Sequence, residues 1–123
     1  MLKRDFLIAQ INKFSEVVWK ALFDVENYNI STAEETVRQN YNEELLNKFD
    51  ENGKLPEDKL EYETLLFQLE LLYVRLRISK AKGLATAGLK QKYLGIARNI
   101  LSSQKDFNLT LQQRIAEVEK LND

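Results

Sequence analysis

The stretch from Glu57 to Lys82 constrains the fold of this chain more than any other part of it. Its apolar residues recur at helical spacing on two sides instead of one. Tyr62, Leu65, Leu66, Leu69, Leu72, Tyr73 and Leu76 make one face, and Leu60, Phe67, Leu71, Val74 and Ile78 make another, roughly opposite. Glu63, Glu70 and Arg77 line one seam between these faces, with Glu61, Gln68 and Arg75 on the other. A surface helix carries a single apolar stripe. A helix apolar on opposite sides belongs in the middle of a bundle, or between a bundle and a second subunit. Residues 71–78 also alternate as a strand would, but they continue the helical stripe, which favours the helix.

The remaining chain supplies neighbours for such a helix. A first helix is expected from Leu2 to Val25, where Leu7, Ile11, Phe14, Val18, Leu22 and Val25 recur at spacings of three and four. Ile8, Trp19 and Phe23 form a second stripe beside the first, so this helix also needs cover on two sides. Asn27 to Asn29 read as a short connection. Ser31 with Glu34 and Thr32 with Glu35 offer overlapping capping boxes for a second helix. That helix is expected to continue to Phe49 on a thin stripe of Val37, Tyr41, Leu45 and Phe49. Gly53 suits a left-handed helix end and Pro56 the start of the next helix, the long one described above. Gly83 and Gly88 bracket a turn of small residues. A fourth helix is expected from Leu89 to Leu101, and a fifth from Asn108 to Leu121, with Thr110 and Gln113 as a further capping pair.

Composition agrees with an all-α domain and narrows its chemistry. Four Gly and one Pro in 123 residues are too few for the frequent turns of a sandwich or barrel. With no Cys, disulfides and thiolate chemistry are excluded. With no His, the chain lacks the one side chain whose ordinary pKa lies between pH 5 and 8, and also the commonest metal ligand. Catalysis, a metal and a cofactor are therefore not expected. No apolar run approaches the ~18 residues of a membrane span, and no secretory core follows the basic N-terminus, so a cytoplasmic location is expected. The sequons at Asn29 and Asn108 then read as chance matches.

Three near-matches to functional motifs fail at their key residues. Gly83 to Lys90 approaches a phosphate-binding loop, but Leu89 separates Gly88 from Lys90, and Gln91 stands where a magnesium-binding hydroxyl should be. A calcium loop centred on Gly53 would place Lys48 and Lys59 at its first and last ligand positions, where acids are required. The acid pairs Glu34/Glu35 and Glu43/Glu44 lack the histidines of carboxylate-bridged metal centres in bundles.

Charge is segregated despite a net charge of −1. Residues 24–70 hold 13 acids against 4 bases, whereas residues 71–105 hold 8 bases and no acid. Two readings are open. The basic segment packs beside the acidic helix and neutralises it, or Arg75, Arg77, Lys80, Lys82, Lys90 and Lys92 form an anion-accepting surface for an acidic protein partner, a phosphate or a small anionic ligand. Nucleic acid is disfavoured by the overall acidity and by the lack of a recognised binding motif. Ile8, Trp19 and Phe23 belong either to the core or to a subunit contact, where Trp is enriched.

Two resemblances accompany these patterns. Asp5 to Ile8, with Gln10, Ile11 and Phe14, resembles the first helix of small, functionally uncharacterised bacterial helical proteins. Tyr93 to Leu101 is similar to the second helix of a tetratricopeptide-type hairpin, with Ala97 as its small packing residue, although no 34-residue repeat accompanies it. Such families imply peptide or protein binding. The expectation is one domain spanning residues 1–123. It is a four- to five-helix bundle or short array of helical hairpins, with the 57–82 helix central. Surplus apolar surface on the first and third helices points to a homodimer acting as a non-catalytic interaction or adaptor module.

Overall fold

The computed structural model describes residues 3–104 and 108–121. Leu2, the expected start of the first helix, and Lys105, the last base of the basic segment, lie outside them. The described residues form α1 (Lys3–Glu26), α2 (Ile30–Asn40), α3 (Glu43–Asn52), α4 (Lys59–Ala81), α5 (Ala87–Ser103) and α6 (Leu109–Lys120). Among the described residues the architecture is all-α, with six helices where four or five were expected, and none of them is long and apolar enough to cross a membrane.

The extra helix arises because the expected second helix breaks at Tyr41. At 100° per residue, a continuous helix would set Leu46 about 180° from Val37. Both are nonetheless buried, Val37 against α1 and α4 and Leu46 in a separate cluster with α4 and α5. One straight helix cannot bury both. The chain turns instead at extended Tyr41 (φ −80°, ψ 132°), and Asn42 starts α3 with its side chain accepting from the Glu44 N–H. Gln68 of α4 holds the corner. Its Oε1 accepts from the Asn42 N–H at 2.7 Å and its Nε2 donates to the Asn40 carbonyl at 3.0 Å.

Other helix ends depart from expectation in detail. The boxes at Ser31 and Thr32 do not form, because α2 already begins at Ile30, and Glu34 and Glu35 pair instead with Lys82 and Arg38. Asn108, not Thr110, caps α6. Gly53 does close α3 in the left-handed conformation. Pro56 precedes α4 by a short bend, and Asp58 caps the helix by accepting from the Glu61 N–H. After α1, Tyr28 takes a positive φ of 63° while almost wholly exposed. This conformation is costly for a side chain with a Cβ, and it lets the Asn29 N–H reach back to the Asp24 carbonyl.

α4 is central, as its two apolar faces predict. Leu65, Leu69, Leu72, Tyr73 and Leu76 pack with Leu46 and Phe49 of α3, Tyr93, Ile96 and Ile100 of α5, and Leu111, Ile115 and Val118 of α6. On the opposite side, Phe67 and Leu71 meet Val18 of α1, while Val74 and Ile78 meet Ala21, Val25, Ala33 and Val37. Phe14 stacks on Phe67 at 4.3 Å, and Val25 shares a cluster with Ile78 near both C-termini, so α1 and α4 run parallel. α4 thus separates an α1/α2 layer from an α3/α5/α6 layer. Both its faces are covered by the chain itself, so its apolar surplus does not call for a second subunit. The surplus on α1 is not covered in this way.

Candidate functional site

α1 is fixed to the bundle by Val18, Ala21 and Val25, which are buried. The neighbouring arc carries the second stripe, and it stays in solvent. Trp19 is 67% exposed, Phe23 47% and Ile8 46%. The Trp19 and Phe23 rings stack with centroids 5.3 Å apart. Their place on the helix follows from periodicity: a side chain four residues on rotates only ~40° around the axis, so the two rings share one edge of the core-facing stripe. The sequence left open whether Trp19 is core or contact, and its exposure removes it from the core of its own fold.

Beside this stripe lies a groove of about 490 Å³ between α1, α4 and the start of α6. Ile11, Phe14 and Leu22 line it from α1, Leu66 and Phe67 from α4, and Leu111 from α6. Glu70 and Arg114 give it one polar wall, and Tyr93 lies at its floor. The Tyr93 hydroxyl is buried with no hydrogen-bond partner among the described residues. Burial raises its pKa, with the Glu70 charge adding to the effect. It stays protonated and available as a donor.

The polar wall belongs to an ionic cluster joining α4 to α6. Arg114 Nε donates to the Glu70 carboxylate at 3.0 Å, and its Nη1 lies 3.5 Å from Glu117. Its guanidinium also sits 4.7 Å from the centroid of the Tyr73 ring. The Tyr73 hydroxyl donates to Glu117 at 2.5 Å and accepts from Arg77 Nη1 at 2.9 Å. Burial raises the pKa of Glu70, and the attraction of Arg114 offsets only part of that rise. Burial would by itself lower the pKa of Arg114, but Glu70, Tyr73 and Glu117 hold it above the ordinary value. The cluster is a clamp between helices, with Arg114 engaged on three sides.

The six cations read from the sequence are not gathered into one surface. Arg75 lies 5.0 Å from the centre of the Tyr41 ring. Arg77 is held by Tyr73, and Lys82 pairs with Glu34 at 3.2 Å. Lys90 donates to the Leu121 carbonyl beyond α6 at 2.7 Å, where a cation complements the helix dipole. Lys92 bonds Glu43 at 2.7 Å and Asn47 at 2.9 Å, and its bond lowers the pKa of Glu43. Lys80 is exposed near the C-terminus of α4. Of these, Lys82 and Lys92 tie the basic segment to acids of α2 and α3, and Lys90 ties it to the end of α6. Sequence reasoning missed Gln68 and the Glu70–Arg114 pair. Gln68 and Glu70 sit on the two seams of α4, and no local signal shows that a seam of a central helix will be covered.

Among the described residues no group of three acidic, His or Cys side chains is placed to hold a metal ion. No protein-family model, curated protein or solved structure matches this chain.

Proposed function

We propose that this chain is a non-catalytic, cytoplasmic interaction module whose α1 face and adjoining groove receive an amphipathic helix of a protein partner. The stacked, exposed Trp19–Phe23 pair at the lip of an apolar groove carries this reading. Tryptophan is enriched among the residues that dominate binding energy, and such anchors fill neighbouring pockets. Covering the exposed parts of Trp19 and Phe23 would contribute about 7 kcal/mol at ~25 cal/mol per Å², before the costs of association are subtracted. The groove suits a helix that presents apolar residues three and four apart. The likeness of residues 93–101 to a tetratricopeptide hairpin helix points the same way. An anion-binding role has less support, because Arg75, Arg77, Lys82, Lys90 and Lys92 each engage a group of the same chain.

Affinity capture from lysate of the source cell, with three versions of the protein, separates the readings. Trp19→Ala is expected to fold with unchanged stability and to weaken partner retention at least ~30-fold, the size expected of a tryptophan hot spot. Arg75→Glu/Lys82→Glu is expected to retain the partner. The reverse pattern would move the binding surface to the basic segment.

A further inference from the structure

We infer that the α1 groove also accepts a second copy of α1, antiparallel to the first, in the register where the two paired residue numbers sum to 30. This rests on the docking reading above and names one occupant of the same surface. Seven residues carry it: Arg4, Ile8, Ile11, Ser15, Trp19, Leu22 and Glu26 recur at spacings of three and four. At 100° per residue they fall within an arc of about 80°, with Ser15 at its centre. Arg4, Ile8, Ser15, Trp19 and Glu26 are exposed, and Ile11 and Leu22 are half-buried. Ile11, Ser15, Trp19 and Leu22 all line the groove.

A two-fold contact must be self-complementary, and this seam is so in one register. Antiparallel pairing about Ser15 sets Ile8 against Leu22 and Ile11 against Trp19. The small Ser15 meets its own copy where the helices cross, and Arg4 meets Glu26 at both ends. Sliding by one turn sets Glu26 against Ile8, or Arg4 against Leu22. Parallel pairing sets Arg4 against Arg4 and Glu26 against Glu26. A single seam of about 33 Å covers less area than the ~1,200–2,000 Å² of a stable complex. The self-pairing is therefore weak, and a tighter partner helix displaces it from the groove.

Sedimentation velocity on the intact protein up to millimolar concentration tests this, with folding of each variant checked by circular dichroism. A concentration-dependent dimer is expected. Arg4→Glu alone and Glu26→Arg alone should each weaken it about tenfold, since each replaces two exposed attractions with two repulsions. An equimolar mixture of these two variants should recover association, because every charged contact between unlike copies is again attractive. Ser15→Glu should weaken the dimer at least about thirtyfold by placing two carboxylates on the axis. A monomer at every concentration would overturn the inference, as would a dimer indifferent to Ser15→Glu or a mixture that fails to recover. The docking reading fails separately, if Trp19→Ala retains a captured partner.

Discussion

Gln68→Leu is expected to lower the stability of the fold by about 3 kcal/mol, although leucine nearly matches glutamine in size. Gln68 is buried, and both ends of its amide serve the backbone at the α2–α3 corner. Leucine would leave the Asn42 N–H and the Asn40 carbonyl without these bonds. Both bonds are only part-buried, so each group so orphaned costs about 1–1.5 kcal/mol, the lower part of the usual range. The loss would appear as a lower urea midpoint at unchanged slope, as expected when stability changes without a change in the surface exposed. Gln68→Glu makes a useful companion. It keeps the acceptor for Asn42, loses the donor to Asn40 and buries a carboxylate, so its cost should grow as pH rises through the titration of that carboxylate. A loss below ~1 kcal/mol for Gln68→Leu would mean that the corner is held by Asn42 and the surrounding packing.

Arg114→Met is expected to cost about 2 kcal/mol at neutral pH. Methionine keeps some contact with the Tyr73 ring, but it leaves Glu70 and Glu117 without their shared cation. Breaking a buried pair costs ~3–5 kcal/mol, and the partial exposure of both groups (23% for Arg114, 22% for Glu70) reduces that. The pH dependence gives a sharper test. Burial already raises Glu70 above the ordinary carboxylate range, and removal of Arg114 raises it further. A carboxylate whose folded pKa lies above its unfolded value supports folding below the unfolded pKa, and that support is lost as pH rises through the folded pKa. The cost of Arg114→Met should therefore shrink on acidification through the folded pKa of Glu70. Adding Glu70→Gln should recover most of it at neutral pH, with the recovery read as a coupling in a double-mutant cycle.

The chain discloses its architecture unevenly, for physical reasons. α4 was legible because 23 residues of two-sided periodicity have one solution, a helix with neighbours on both faces. Gly53 was legible as a helix end because few other residues take a left-handed conformation cheaply. The break at Tyr41 was not. Val37, Tyr41, Leu45 and Phe49 form a passable stripe, yet the fold buries Leu46 and leaves Leu45 38% exposed. That choice is made by α4 and α5 and not by propensity within the segment. Charge segregation was visible, but its meaning depended on which helices adjoin. The long-range pairs Lys82–Glu34 and Lys92–Glu43 join residues almost 50 positions apart. Trp19 showed the same dependence on packing: its stripe was evident from spacing, whereas its exposure required knowing that α4 and α2 occupy only the other side of α1.

The proposed function makes the Trp19 face of α1 the place where this protein meets other helices. Trp19 is the sole tryptophan, so its emission reports on that face alone. The decisive measurement is its fluorescence spectrum in a complex proven by sedimentation, whether with a captured partner or with a second copy. A blue shift, with protection from a water-borne quencher, is the predicted result. A complex in which Trp19 keeps the emission and quenching of a water-exposed indole would place the contact elsewhere on the molecule and overturn the proposed binding face.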